Sequence, residues 1–409
     1  MQCALFQIES LFMFKCYLII VFSFATISGF AQRIITAQDA INLAFQNRTN
    51  LAAAELSLQQ QQQLLKSSAG FDNPELEYEI DPYDPTVLGV IVPLRLPTVY
   101  SSRKRLQKER IKLSELFLRL NRNEISRLVQ NTYTEVQFLQ ARSTLLIHQD
   151  SLYQTIKNAA GRSFQAGQIN KLEELFASNE ANNVNNELNM VLNEFDAQKR
   201  ALTYLINFRE NFSLDAFQPS PVDTLSLYSM NDTLITSIQQ EVLQQQIAVT
   251  QKQLHVEKAE LLPQVNAGPL FGLQAPHGDG PKRLGLRVGL SVPLWFGQNR
   301  SRIQAARTGV QLAEAERKRD LQNLQRDYQL SMSTVSRTRQ SIAYYNQTAI
   351  KQSDEITQTA LRLFQAGQVS YIETLRNIII AYQTKANYLE TIRSYNQAVI
   401  ELRYLTGNF

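Results

Sequence analysis

The chain has 409 residues, with 41 Lys and Arg against 37 Asp and Glu and a formal net charge of +4. The charges are interspersed, which excludes the concentrated basic footprint of a nucleic-acid binder. The only two cysteines, Cys3 and Cys16, lie near the start, so the remainder can form no disulfide framework and no thiolate metal site.

The first predicted element is a signal segment over residues 1–31. Lys15 precedes the apolar run "CYLIIVFSFATISGFA", and Gly29 and Ala31 stand at the −3 and −1 positions of a cut before Gln32. An N-terminal membrane anchor is the alternative, but the run is short for a span. Past it no apolar run reaches the roughly 18 residues a spanning helix needs. If the mature protein crosses a membrane, it must do so with strands.

A first helix is predicted over about Thr36 to Ser68, opening on the cap pattern Thr36-x-x-Asp39. A hairpin over 75–95 follows. "ELEYEI" alternates strictly, with Leu76, Tyr78 and Ile80 on one face and Glu75, Glu77 and Glu79 on the other. From Thr98 to Ala160 there is no Gly or Pro, which predicts a very long helix, roughly 95 Å if continuous. "RSFQAGQINKLEEL" then places Gly167 where this helix turns back into another, because glycine accepts the positive φ of such a turn. Residues 211–232, with Pro219 and Pro221, read as a linker.

Everything then happens again. A helix is followed by a hairpin over 263–294. In "LGLRVGLSVPL", Leu284, Leu286, Val288, Leu290, Val292 and Leu294 share one face, opposite Gly285, Arg287, Gly289 and Ser291. A long helix follows, with a seam of Leu321, Leu324, Tyr328, Met332 and Val335 spaced as in a coiled coil. "RLFQAGQVSYIETL" turns it back at Gly367. The two copies stand in gap-free register at an offset of 200. Val92 aligns with Val292, Ser101 with Ser301, Arg162 with Arg362, Phe164 with Phe364, Glu173 with Glu373, and Leu205 with Leu405. The chain is therefore a duplicated unit, residues 32–210 and 233–409. Its fold class is mainly α with a small β part: long antiparallel coiled-coil helices plus one β-hairpin in each copy.

Period-2 alternation over about ten residues, apolar against polar or small, is the pattern of a membrane β-barrel strand. It is also the pattern of a half-buried strand on a soluble core. In the membrane reading, Leu286, Val288 and Leu290 face lipid, while Glu75, Glu77, Glu79 and Arg287 face the pore. Four strands cannot close a barrel alone, and open edges in lipid are forbidden, so the chain must oligomerise.

The duplicated helix–hairpin–helix–helix layout with both glycine turns resembles the TolC-type outer-membrane efflux proteins over essentially the whole mature chain. The turn motif carries the detail: Phe164, Ala166, Gly167 and Glu173, then Phe364, Ala366, Gly367 and Glu373. The resemblance implies a homotrimer. It also implies a 12-stranded outer-membrane barrel in contact with lipid, continued by a helical barrel through the periplasm. It puts the two turns, with Arg162 and Arg362 beside them, at the periplasmic tip as docking points for a periplasmic adaptor protein, behind which stands an inner-membrane pump. It places Glu373, Arg376 and Glu173 at a periplasmic aperture. Two departures stand out. Ser163 and Leu363 precede the aromatic residues where the best-known members have Arg, and Arg376 stands where a second acidic residue is frequent. The stretches "VPLRLPTVYSSRKR" and "VPLWFGQNRSRIQAA" resemble the heavy-metal cation branch as much as the drug branch.

No catalytic constellation is visible. His148, His255 and His277 are scattered without metal-ligand spacing, and "GDGPK" lacks the spacing of a phosphate loop. No catalytic residue, metal site, cofactor or nucleic-acid partner is expected, and the chain reads as a passive duct. Two other readings compete: the duct of a one-component (type I) protein secretion system, and a periplasmic coiled-coil scaffold without a pore.

Overall fold

The computed structural model describes residues 33–80, 87–210, 212–220, 237–272, 284–293 and 296–407. The signal segment, both hairpin loops with His277, Leu294 and most of the 211–232 stretch lie outside these residues.

The chain divides into two compact units. The smaller contains a two-stranded parallel sheet, in which β1 (Arg33–Ile35) pairs with β4 (Phe212–Leu214). Part of the stretch read as linker is therefore a strand. Three residues carry too little alternation to announce one.

The larger unit holds the described helices and a four-stranded sheet. Its elements are α1 (Ala37–Gln46), α2 (Arg48–Ser67), β2 (Glu75–Glu79), β3 (Val87–Arg95), α3 (Pro97–Gln165) and α4 (Lys171–Ile206). The second copy adds α5 (Ile238–Ala259), β5 (Gln264–Gly272), β6 (Leu284–Ser291) and α6 (Phe296–Tyr344). A π turn (Tyr345–Ala349), α7 (Ile350–Gln365) and α8 (Tyr371–Thr406) complete it. The offset of 200 is visible in the backbone. Among the described residues the four left-handed ones come in pairs, Gly167 with Gly367 and Asn207 with Gly407. The returning helices α4 and α8 each have 36 residues.

Two helices differ from expectation. The first is not continuous: it breaks at Asn47, whose ψ of 96° leaves the helical region. The break is held by amides rather than by Gly or Pro. Asn47 Nδ2 donates to the carbonyls of Tyr204 and Leu205, and Asn50 Nδ2 donates to those of Ala44 and Leu205. The second long helix carries a π turn that has no counterpart in α3. Tyr345 sits there between Tyr344 and Tyr388, each with ring centroids at 5.6 Å, and Tyr388 Oη donates to Asn346 Oδ1 at 2.7 Å. A single inserted turn of this kind leaves the apolar period on both sides intact, so a pattern reading passes over it.

The core is a set of interhelical seams. One cluster joins both hairpins near their turns: Leu146, Tyr153, Ile156 and Ala160 from α3, Ala177, Ala181 and Val184 from α4, and Leu375, Ile378 and Tyr382 from α8. Another follows the predicted seam. Tyr328 and Val335 are buried against Ile392, Tyr395, Val399 and Leu402, with Leu324 and Met332 packed on them. Glu135 is drawn into a neighbouring contact with Arg393 at 2.9 Å, and burial pushes its carboxyl up against the opposite pull of that guanidinium.

The sheet has the order β2-β3-β5-β6, antiparallel throughout. The helices α2, α3, α5 and α6 pack side by side in the same order. Register puts Glu75, Glu77 and Glu79 on one face with Gly89, Gly268, Gly272, Gly285, Arg287 and Gly289, interspersed with Val87, Ile91 and Leu270. This small-residue face is concave. In a flat sheet the edges β2 and β6 would stand about 14 Å apart, yet Arg287 on β6 forms ion pairs with both Glu77 and Glu79 on β2.

The tightest point of the curl is Gly268. A Cβ there would stand 1.9 Å from the Val90 carbonyl oxygen. The β3–β5 ladder passes over Val90 and Ile91 at this point, opposite Gly268 and Pro269. Proline lacks an N–H, and glycine permits the close approach. Replacing Gly268 by Val should therefore cost about 1–3 kcal/mol or more through forced strand separation. Gly285→Ala, whose added Cβ would be 3.7 Å from the nearest atom, should be tolerated. Thermal unfolding of the two purified variants checks this, and equal stability would show that the approach at Gly268 is not constraining.

Candidate functional sites: the apolar belt and the paired turns

The outer face of the sheet is apolar and uncovered. Leu284, Leu286, Val288 and Leu290 are 64–75% exposed, and Leu76, Tyr78 and Ile80 are 61–79% exposed. A face of this size without cover marks an interaction surface. Its opposite face collects the acidic residues and Arg287. Of the four residues expected there, Arg287, Glu77 and Glu79 are brought together, whereas Glu75 is exposed and has no ion-pair partner among the described residues. None of the described helices is long and apolar enough to cross a membrane, a finding that does not bear on strands.

At the other end, α3 and α7 terminate alike. Gln168 N donates to the Ser163 carbonyl at 2.8 Å and Gly167 N to that of Phe164 at 3.0 Å. Gln368 and Gly367 repeat the pattern onto Leu363 and Phe364 at 2.9 and 3.0 Å. This is the Schellman arrangement, which needs a left-handed residue after the helix. Both glycines have φ of 69°, and nothing lies within 4 Å of where a Cβ would be. Conformation, not crowding, requires glycine here.

The returning helices start on caps that the sequence reading passed over. Asn170 Oδ1 accepts from Glu173 N at 3.0 Å, and Ser370 Oγ accepts from Glu373 N at 3.2 Å. Cap residue and acidic residue are three apart, the spacing of a capping box, so the signal was present in Asn170-x-x-Glu173 and Ser370-x-x-Glu373. Each cap contributes about 1 kcal/mol. A carboxylate in the first turn also faces the positive end of the helix dipole. Glu373 and Arg376 are both exposed, and among the described residues they do not pair with each other.

Each turn is closed by its phenylalanine against the first residue of the next helix. Lys171 Nζ lies 4.9 Å from the Phe164 ring centroid, and the Phe364 and Tyr371 rings meet edge-on at 4.6 Å. Tyr371 also reaches the other copy, with its Oη 2.9 Å from Ser163 Oγ. The two turns therefore stand side by side. Arg162, Ala166 and Ala366 are exposed at this tip, and Arg362 Nη2 donates to Thr359 Oγ1 at 3.2 Å. The Ser163–Tyr371 link joins residues 208 apart, and no sequence signal marks it. No cluster of three or more His, Cys, Asp or Glu residues suited to a metal occurs among the described residues.

An uncovered apolar belt on a curled sheet lies at one end of the helices, and the paired turns lie at the other. Comparison with known proteins finds the same arrangement. Residues 234–408 match the family described as outer membrane efflux protein. The chain is 23% identical over 385 residues to the cobalt-zinc-cadmium resistance protein CzcC of Cupriavidus metallidurans, covering 91% of this chain and 90% of that one. The Campylobacter jejuni CmeC outer membrane channel superposes with a TM-score of 0.76 at 16% identity, over 91% of this chain and 85% of that one. CusC does so with a TM-score of 0.74 at 14% identity, over 93% and 95%. The second repeat thus matches the outer membrane efflux family, and the chain as a whole shares the fold of the CmeC and CusC channels.

Proposed function

We propose that this chain is the passive outer-membrane duct of a tripartite efflux system, working with a periplasmic adaptor and an inner-membrane pump. The observation that carries the reading is the sheet, which is apolar and exposed outside, and polar and glycine-lined within. It sits on helices whose far ends form two matching tips. Three copies would close a 12-stranded barrel from the strands of residues 75–95 and 263–294. The helical parts of repeats 32–210 and 233–409 would continue it into the periplasm, with 211–232 as their connection. Such a duct needs width and polarity rather than an active site, and no enzyme chemistry is assigned. Heavy-metal cations are the favoured cargo class, supported by the similarity to a cobalt-zinc-cadmium resistance protein.

Within this reading, the exposed turns with Arg162, Phe164, Ala166 and Gly167, and Arg362, Phe364, Ala366 and Gly367, dock the adaptor. Glu373, with Arg376 and Glu173 near it, lies at the aperture. Three Glu373 carboxylates near one axis would attract cations, because low-dielectric walls focus their field.

Three outcomes test these assignments. Val288→Arg should cost about 2–4 kcal/mol at mid-membrane and abolish assembly into the outer membrane. Normal insertion, read by fractionation and heat-modifiable trimers on a gel, would mean that the belt does not meet lipid. A photo-cross-linking residue at Gln168 or Gln368 should capture the adaptor. Capture no greater than from Lys318 on α6 would remove the docking role. In planar bilayers, Glu373→Gln should lower cation selectivity and weaken divalent block from the periplasmic side, whereas Glu75→Gln should leave that block unchanged. Unaltered conductance in Glu373→Gln would place this residue away from the aperture.

A further inference from the structure

Where the sheet gives way to helices, a chain of ion pairs crosses the junction. Arg95 Nε meets Asp72 at 2.7 Å, and Arg103 reaches Asp72 at 4.0 Å and Glu260 at 2.9 Å. Arg302 meets Glu257 at 2.9 Å and Glu260 at 3.1 Å. Arg95 belongs to the concave, polar face of the sheet, since register puts it with Pro93, Ile91 and Gly89. The ion-pair chain therefore continues that face onto the helices.

Helical geometry then fixes the opposite side. At 100° per residue, Lys104, Arg105 and Lys108 stand on the side of α3 away from Arg103. Arg300 and Arg307 stand likewise on α6, away from Arg302. That side continues the apolar outer face of the sheet. All five cations are exposed, and none has a carboxylate partner among the described residues. Glu109 nearby is already engaged: the Gln245 amide and then Lys112 hold its carboxyl below the usual range. On this side the first carboxylates are Glu115 on α3 and Glu314 on α6, about two turns further from the sheet.

The five cations lie within about 17 Å of the helix starts, and helical side chains tilt toward the N-terminus, here toward the sheet. Long Lys and Arg side chains placed so return their charged ends to the edge of the apolar belt. Between that belt and the cations, Leu261, Pro293 and Ile303 wall a hollow flanked by Arg300 and Arg307.

We propose that these five residues form a cationic collar that binds anionic phospholipid headgroups of the periplasmic leaflet, with the phosphates on the guanidinium and ammonium groups and the glycerol-ester region in the hollow. Each cation near an anionic lipid surface favours binding severalfold. The collar fixes the depth at which the duct sits and gives the second repeat's junction a bound lipid. The inference rests on the outer-membrane reading above.

The test uses full-length trimers purified in neutral detergent and titrated with fluorescent phosphatidylglycerol, with phosphatidylcholine of the same chains as reference. Wild type should prefer phosphatidylglycerol by at least about fivefold, and 0.5 M salt should reduce that preference. The combined variant Lys104→Gln, Arg105→Gln, Lys108→Gln, Arg300→Gln, Arg307→Gln should lose it. A control neutralising Lys318 and Lys351, exposed further along the helices, should keep it. An equal affinity of wild type for the two lipids overturns the collar, as does a preference that survives in the five-residue variant. Should that variant fail to assemble, the Arg300→Gln, Arg307→Gln pair must lower the preference, and an unchanged value again overturns the collar. Fractionation separates the two readings. Wild-type trimers in the outer membrane without lipid preference remove the collar alone, while trimers absent from that membrane remove the duct and the collar with it.

Discussion

A strand in hydrocarbon must have both its edges paired. Each unsatisfied backbone N–H or C=O there costs several kcal/mol, and no water is available to relieve it. The four-stranded sheet has two free edges, β2 and β6, and an outer face as apolar as lipid. In the outer-membrane reading a single copy cannot meet this requirement, and further copies would complete the strands. The concave face follows from the same need. Closure demands curl, curl demands small residues inside, and the inward positions supply Gly89, Gly268, Gly272, Gly285 and Gly289. Arg287 spans the curl to Glu77 and Glu79, an arrangement in which the concave face satisfies its own charges.

Duplication solves the other half of the problem. A helix of 69 residues cannot be stabilised by propensity or a few caps; it needs an apolar seam along its length. The two copies provide seams for each other. Near the tips α3, α4, α7 and α8 share one core, and α6 lies against α8 further along. The turns at Gly167 and Gly367 are then held together by Tyr371, which stacks on Phe364 in its own copy and reaches Ser163 in the other. Identical turn sequences thus end up in non-identical surroundings, with Lys171 over Phe164 where the second copy has Tyr371 on Phe364. That asymmetry allows two copies of one motif to carry different contacts.

The junction between sheet and helices is where the two halves of the design meet. Asp72, Arg103, Glu260 and Arg302 neutralise one another on the polar side. Among the described residues, the far side of the same helices keeps its cations unpaired. Partly exposed pairs of this kind add little stability singly, about 0–1 kcal/mol each. Their arrangement matters more for which side of the wall carries net charge.

Much of this was legible in the sequence, because the signals are local and repeated. Alternation at period 2 identified the hairpins and sorted their faces, and the predicted seam announced the burial of Tyr328 and Val335. Identity at an offset of 200 revealed the duplication, and a glycine after each long helix marked the reversals. The cap spacings Asn170-x-x-Glu173 and Ser370-x-x-Glu373 are local signals of the same kind. The tertiary structure alone decided the rest. The first helix breaks at Asn47 because two amides find carbonyls at the end of α4. The π turn at Tyr345 sits in one copy only, β1 pairs with a strand far along the chain, Ser163 meets Tyr371, and Arg287 crosses the sheet to β2. Each of these depends on residues brought together by packing across distances of 150 residues or more, or on a one-residue adjustment that leaves the apolar period intact. Periodicity reports which face of an element is apolar; it carries no information about which distant partner that face will meet.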